Sequence, residues 1–189
     1  MLLLGVLAVL TFAFAGQGSG LGPALPAYWV SLLLSVAAGS SIWAARSQYS
    51  GVGLAMALGP TRPAALFIGL FLAFGLTVLA VGALLGLFAG VLFDVPRPES
   101  PLALVSALLA GGAGLAALGV VIQQLGALGR LGPIVMAPLG APLVMLAARA
   151  SQEAYQAQPS RGPIVAPWIL LLLFLLLGTL LPRHAQARQ

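Results

Sequence analysis

The chain has 189 residues, of which 61% are hydrophobic and only 6% are charged, and its net charge is +5. Eight basic and three acidic residues cannot cover the surface of a soluble domain of this length, so the composition excludes a soluble globular protein. The basic residues are all arginines placed singly, which argues against nucleic-acid binding, and the absence of cysteine excludes disulfides and thiolate metal sites within the chain.

This composition predicts an all-α, polytopic membrane protein with a single transmembrane domain over residues 1–189. A bilayer core takes roughly 20 apolar residues per helix. Six apolar runs therefore predict about six transmembrane helices. The runs cover residues 1–15, 27–45, 64–93, 102–122, 133–148 and 164–181.

The first run allows two interpretations. It is short and, with Ala13-Phe14-Ala15 before Gly16, resembles a signal peptide with its cleavage site, but it has no basic residues at its start. The alternative is a first span whose N-terminal part is missing, as when translation starts upstream. Residues 16–26 are rich in Gly and Pro and predict a turn. Aromatic residues at both ends of the second run, such as Tyr28, Trp29 and Trp43, predict contacts with the membrane interface.

The third run is long enough to exceed the bilayer thickness. A straight helix over these residues would have to tilt, kink or break near its glycines. Gly82, Gly86 and Gly90 are spaced four apart and share one helix face. Such a face permits another helix to approach closely, either within the subunit or in a homodimer.

The connecting segments are predicted as follows. Residues 47–63 are less apolar and predict a short helix before a proline-rich stop. Residues 94–101 form a polar loop. Pro138 and Pro142 of the fifth run require a neighbouring helix or polar group to satisfy the carbonyls they free, and residues 147–158 predict a surface helix.

The arginines indicate an orientation. With six spans, the connecting loops alternate between the two sides of the membrane. One side receives Arg46, Arg62, Arg130, Arg183 and Arg188. The other receives Arg97, Arg149 and Arg161 together with the three acids, Asp94, Glu99 and Glu153. The positive-inside rule then places the C-terminus in the cytoplasm, and an even number of spans places the N-terminus there too.

Catalytic and ion-coupling chemistry have little support. No charged residue lies in the middle of an apolar run, whereas proton-coupled carriers usually have intramembrane ionisable groups. Ser40 and Ser41 have no candidate base, because the only histidine, His184, lies in the C-terminal tail. The sequence therefore predicts no enzyme, no metal site and no cofactor bound by this chain.

Three stretches of the chain share the pattern and spacing of a known family. They are Leu25-Pro26-Ala27-Tyr28-Trp29-Val30 with Ile42-Trp43 to Arg46, then Leu58-Gly59-Pro60-Thr61-Arg62-Pro63-Ala64, and finally Leu115 to Ala148, which includes Gly129-Arg130 and Ile134-Val135-Met136-Ala137-Pro138-Leu139-Gly140-Ala141-Pro142. On these residues the chain resembles CcmB, the ABC-2 type permease subunit of the cytochrome c maturation ABC transporter, which handles haem.

The resemblance implies that separate subunits hydrolyse ATP and hold haem. A separate, CcmA-like ATPase would bind the cytoplasmic loop after the second span and hydrolyse ATP. Haem would be held by a CcmC-like membrane subunit and passed to a periplasmic chaperone. The expected location is the cytoplasmic (inner) membrane, and a homodimer is expected because an ABC transporter needs two permease halves. The implied ATPase-coupling residues are Arg46, Gln48, Tyr49, Leu54, Met56, Leu58 and Arg62.

Two other functions remain open at this point. The chain can be an ABC-2 permease for another cargo, such as a drug, lipid or polysaccharide, because one fold serves several cargoes. It can also be a non-ABC membrane scaffold, which would have no ATPase partner. The deletion phenotype and co-purification of an ATPase discriminate between these functions.

Overall fold

The computed structural model describes residues 2–15, 21–49, 63–124, 132–156 and 159–186. All regular structure within these ranges is α-helical, which confirms the predicted fold class. The six helices are α1 (Leu2–Ala15), α2 (Leu21–Tyr49), α3 (Pro63–Leu92), α4 (Pro101–Gln124), α5 (Gly132–Glu153) and α6 (Arg161–Gln186).

Five of these helices, α2 to α6, are long and apolar enough to cross a membrane. α1 is shorter. Its 14 residues extend about 21 Å at 1.5 Å per residue, whereas a bilayer core is about 30 Å thick. The chain is therefore a multi-pass membrane protein with five full-length spans and one short apolar helix among its described residues.

α2 begins earlier than the sequence predicted. Residues 16–26 were expected to form a turn, but the helix starts at Leu21 and includes Pro26. A proline this close to the start of a helix costs one hydrogen bond, here to the carbonyl of Gly22, and its fixed φ suits the helix. The prediction was therefore wrong for residues 21–26.

α3 is a single helix of 30 residues with no break at its glycines. Its length is about 45 Å, so it exceeds the bilayer core. The helix ends in a cap in which Asp94 adopts a left-handed conformation, with φ 49°. The amide of Val95 donates to the carbonyl of Gly90 at 3.1 Å, as in a Schellman motif.

α4 is the central helix of the bundle and packs against α2, α3, α5 and α6. Its residues from Gly114 to Ile122 are all buried. Glycines and alanines dominate this inner surface and let the neighbouring backbones approach. α6 lies at the periphery and exposes leucines, including Leu172 and Leu176, on its outer face.

The predicted surface helix over residues 147–158 is not observed. α5 continues without interruption to Glu153, and Ala147, Ala150, Ser151 and Ala154 are fully buried. These small residues recur every three or four positions and face the bundle. The polar character of this stretch comes from the residues on its outer face, such as Arg149 and Gln152.

Two connections meet at one end of the bundle. The amide of Ser100, in the loop between α3 and α4, donates to the carbonyl of Ala154 at 2.9 Å, in the connection from α5 to α6. We call this end the 93–100 end. Helix direction places the start of α2 at this end and the last turn of α2 at the other.

Candidate functional site

Trp29 anchors α2 to the last turn of α5, toward the 93–100 end of the bundle. Its side chain is fully buried, and the indole Nε1 donates to the Ser151 hydroxyl at 3.2 Å. That hydroxyl donates in turn to the carbonyl of Ala147 at 2.8 Å. The sequence had placed Tyr28 and Trp29 at the membrane interface. This was wrong, because both side chains are buried against neighbouring helices.

The Trp29 ring is held by a close fit with α4. A Cβ atom added to Gly111 would lie 2.7 Å from Cζ3 of Trp29 and 2.8 Å from Cβ of Ala147. Only glycine leaves room for the indole at this position. Trp29 also meets the Tyr28 ring edge-on, with ring centroids 5.0 Å apart. The segment Leu25–Val30 is thus a packing centre of the bundle.

A groove with a volume of about 820 Å³ runs between α2 and α5. We call it the α2–α5 groove. Pro26, Trp29, Val30 and Leu33 line its α2 side, and the α5 side is lined by residues between Ala141 and Gln152. Arg149 and Gln152 are exposed and provide polar groups toward the 93–100 end. The rest of the lining is mostly apolar.

The prolines of α5 leave a backbone carbonyl in this region without its helical hydrogen bond. Pro142 lines the groove, and its missing amide leaves the carbonyl of Pro138 without its helical donor. Gly140 sits where a Cβ atom would lie 2.7 Å from a methyl of Leu33 and 3.5 Å from a methyl of Leu115. α5 therefore approaches both α2 and α4 closely around its two prolines.

A second, narrower opening lies between α3 and α4, with α2 behind it. We call it the α3–α4 crevice. It consists of two cavities of about 260 and 190 Å³, and Tyr28, Gly82, Ala83 and Leu108 line both. The larger cavity extends to Tyr155 at the 93–100 end. Partial burial raises the pKa of the Tyr155 hydroxyl, so it stays a neutral donor.

The glycine face of α3 lies against α2 within the subunit. A Cβ atom on Gly82 would lie 3.1 Å from the Tyr28 hydroxyl, and one on Gly86 would lie 3.6 Å from the Tyr28 ring. Gly90 has no atom within 4 Å of the corresponding position. The three glycines therefore form one wall of the α3–α4 crevice, closed by Tyr28 at Gly82 and open at Gly90.

Three of the seven residues implied in ATPase coupling lie at the opposite end of the molecule. Arg46, Gln48 and Tyr49 belong to the last turns of α2. The other four, namely Leu54, Met56, Leu58 and Arg62, lie outside the described residues.

The serines considered as nucleophiles have ordinary helical roles. The hydroxyls of Ser40 and Ser41 donate to the carbonyls of Ala37 and Ala38 at 2.8 and 2.7 Å. Within the described ranges, no group of three His, Cys, Asp or Glu residues is placed to hold a metal ion.

No sequence pattern indicates the Trp29–Ser151 pair, whose members are 122 positions apart. Only the small residues around Ser151, at helical spacing, could have suggested a buried face.

Comparison of the chain with protein-family models, with curated proteins and with solved structures gives no match.

Ser151→Ala is expected to lower the free energy of unfolding by about 1–3 kcal/mol, because it leaves the buried indole N–H of Trp29 without an acceptor. Thermal unfolding in detergent, followed by circular dichroism, measures the change. Trp168, which is 39% exposed and donates to the Ser106 hydroxyl at 2.9 Å, offers a matched control. Ser106→Ala should cost less, since a partly exposed indole N–H loses less than a fully buried one when its acceptor is removed. An equal loss in both variants would contradict the buried anchor.

Proposed function

We propose that this chain is the permease subunit of an ABC transporter that acts in haem delivery for cytochrome c maturation. The proposal is carried by one observation. Two stretches on which the chain resembles the CcmB family, 25–30 and 134–142, are far apart in sequence but line the same α2–α5 groove through Pro26, Trp29, Val30, Ala141 and Pro142. A shared site for the resembling segments supports a common functional role.

The energy source in this proposal is a partner ATPase. No charged residue lies in the middle of an apolar run, which argues against proton coupling. By the resemblance, a CcmA-like ATPase docks on the segment from Arg46 to Arg62. Haem stays with a CcmC-like membrane subunit and a periplasmic chaperone, and ATP hydrolysis serves release of the loaded chaperone.

α2 provides the mechanical link between docking and groove. It is a single helix of 29 residues, about 44 Å long. Its last turns belong to the ATPase-coupling segment, and its first half carries Trp29 and one wall of the groove. A tilt of α2 driven by the ATPase would therefore open or close the groove at the 93–100 end, with the Trp29–Ser151 contact as its pivot.

The proposed setting is the inner membrane, with both termini in the cytoplasm and the 93–100 end on the periplasmic side. This topology needs six crossings, so α1 crosses the membrane in it as a short sixth span. This orientation puts most arginines in the cytoplasm. A homodimer would supply the two permease halves that an ABC transporter needs. The groove would then face a periplasmic chaperone or another membrane subunit.

One observation favours a second candidate, an ABC-2 permease for an amphipathic cargo. The groove volume of about 820 Å³ is within the range of small-molecule sites. Its apolar walls and the guanidinium of Arg149 would suit a cargo with an apolar body and an acidic group.

Deletion of the gene tests the proposal. Membrane and periplasmic fractions of the deletion strain would be stained for covalently bound haem, with b-type haem as the internal control. Loss of c-type haem with normal b-type haem, restored by the wild-type gene, is the expected result. Normal amounts of both would overturn the haem-delivery function and leave the permease for another cargo as the better hypothesis.

A further inference from the structure

Small residues line one wall of the α3–α4 crevice and leave space between the helices. Gly82, Gly86, Gly90 and Ala83 line it from α3, and Leu104 and Leu108 line it from α4. A second cavity continues it along α4 to Gly112. From Leu104 to Gly112 the opening extends about 12 Å along the helix axis. The crevice is therefore long, narrow and apolar.

The hydroxyl of a buried tyrosine faces this apolar space. Tyr28 lines both cavities, and only 5% of its surface is exposed. None of the hydrogen bonds among the described residues involves its hydroxyl. Its oxygen is reachable from the crevice, whose apolar walls offer no acceptor, and a polar group left unpaired in apolar surroundings is costly. We therefore expect a hydrogen-bond acceptor for the Tyr28 hydroxyl inside the crevice.

The crevice opens toward the lipid. Leu87 on α3 is 68% exposed and Val105 on α4 is 50% exposed, and both stand at its edges. An α-helix of a second protein is about 10 Å wide, too wide for a cavity of about 260 Å³ whose glycine wall is already covered by Tyr28 at Gly82. A flexible hydrocarbon chain fits this shape.

We propose that the α3–α4 crevice binds one ester-linked membrane lipid. Its ester carbonyl accepts a hydrogen bond from the Tyr28 hydroxyl near Gly82, and its acyl chain runs deeper from there along α4 to Gly112. Its glycerol backbone lies along the glycine wall of α3, between Tyr28 and the 93–100 end. Tyr155, at the 93–100 end of the crevice, offers a second donor nearer the headgroup. The bound lipid fills the space between α3 and α4 and satisfies the buried hydroxyl. This site does not depend on which cargo the transporter moves.

Filling the crevice tests the site. Wild-type protein and two variants would be reconstituted into vesicles of 1-palmitoyl-2-oleoyl phosphatidylcholine and extracted again in mild detergent. Native mass spectrometry would then measure the number of lipids retained per chain. Gly90→Leu places a side chain in the crevice, whereas Gly69→Leu adds the same side chain to an exposed position of α3. Neither glycine has an atom within 4 Å of its Cβ position, so both substitutions are sterically free.

We expect wild type and Gly69→Leu to retain one lipid per chain. Gly90→Leu should retain about tenfold less, since its side chain fills the part of the crevice that the glycerol backbone occupies. Equal retention in all three proteins would overturn the site. Equal loss in both variants would do the same, because the lipid would then be a general surface lipid. A change in oligomeric mass of Gly90→Leu with unchanged lipid would assign the opening to a second copy instead.

Tyr28→Phe tests the hydrogen bond while keeping the packing. Ester-linked and ether-linked phosphatidylcholine would compete for the protein, because only the ester has a carbonyl acceptor. Wild type should prefer the ester by about threefold to tenfold, and Tyr28→Phe should bind both equally. The same preference in both proteins would overturn the role of Tyr28.

Discussion

Replacing Gly111 with alanine is expected to lower the free energy of unfolding by about 2–3 kcal/mol, although alanine is the better helix former. The new methyl would meet the ring of Trp29 on one side and Cβ of Ala147, 2.8 Å away, on the other. Neither partner can move easily. The indole of Trp29 is hydrogen-bonded to Ser151, and the Cβ of Ala147 is attached directly to the backbone of α5. The central helix α4 would have to move away from α2 and α5.

The adjacent glycine of the same helix is the matched control. A Cβ atom on Gly112 would meet only a methyl of Leu79, at 3.2 Å, and this side chain can change rotamer. Gly112→Ala should therefore be nearly neutral or slightly stabilising, since alanine favours the helix. Unfolding in detergent, followed by circular dichroism, compares the two variants. Equal stability of Gly111→Ala and Gly112→Ala would show that Trp29 is not packed as described.

Leu58→Glu is expected to abolish co-purification of the proposed ATPase subunit. Leu58 lies outside the described residues, in the segment that the resemblance assigns to ATPase docking. A carboxylate buried without a partner in a protein–protein contact costs several kcal/mol, and removing a central apolar contact weakens such interfaces by about 30-fold or more. Affinity purification of the tagged chain from membranes, followed by mass spectrometry of its partners, measures the loss.

The control for Leu58→Glu lies in the loop at the 93–100 end. Pro96 is exposed in the loop between α3 and α4, so Pro96→Glu adds the same charge away from the docking segment. It should leave the ATPase bound. Retention of the ATPase by Leu58→Glu would contradict docking at this segment. Absence of any ATPase from the wild-type preparation would favour the membrane scaffold.

The sequence was informative about the helices because apolar runs of this length have few alternatives to a transmembrane helix. The third run, 64–93, differs from α3 by one residue at each end. The errors fell where local composition misled. Gly and Pro suggested a turn at 16–26, and polar residues suggested a surface helix at 147–158. In both places the small residues of a packed helix face outweighed the local preference.

The packing partners could not be predicted in the same way. In a soluble protein, a polar face and an apolar face distinguish outside from inside. In a lipid-embedded helix both faces are apolar, so nothing in the sequence marks Trp29 as buried or Leu176 as exposed. Glycine spacing was the one usable signal. It placed Gly82, Gly86 and Gly90 on one face, but not the Tyr28 side chain that lies against it.

The unequal burial of α4 and α6 sets how fast the sequence of each helix can diverge during evolution. Inner positions of α4, such as Gly111 and Gly114, admit almost no larger side chain, because Trp29 and Leu143 occupy the adjoining space. Outer positions of α6, such as Leu172 and Leu176, face lipid, and any apolar residue satisfies them. Neutral drift should therefore run fast along α6 and nearly stop along α4. Two descendants of one ancestor could share little more than a row of small residues and still fold alike.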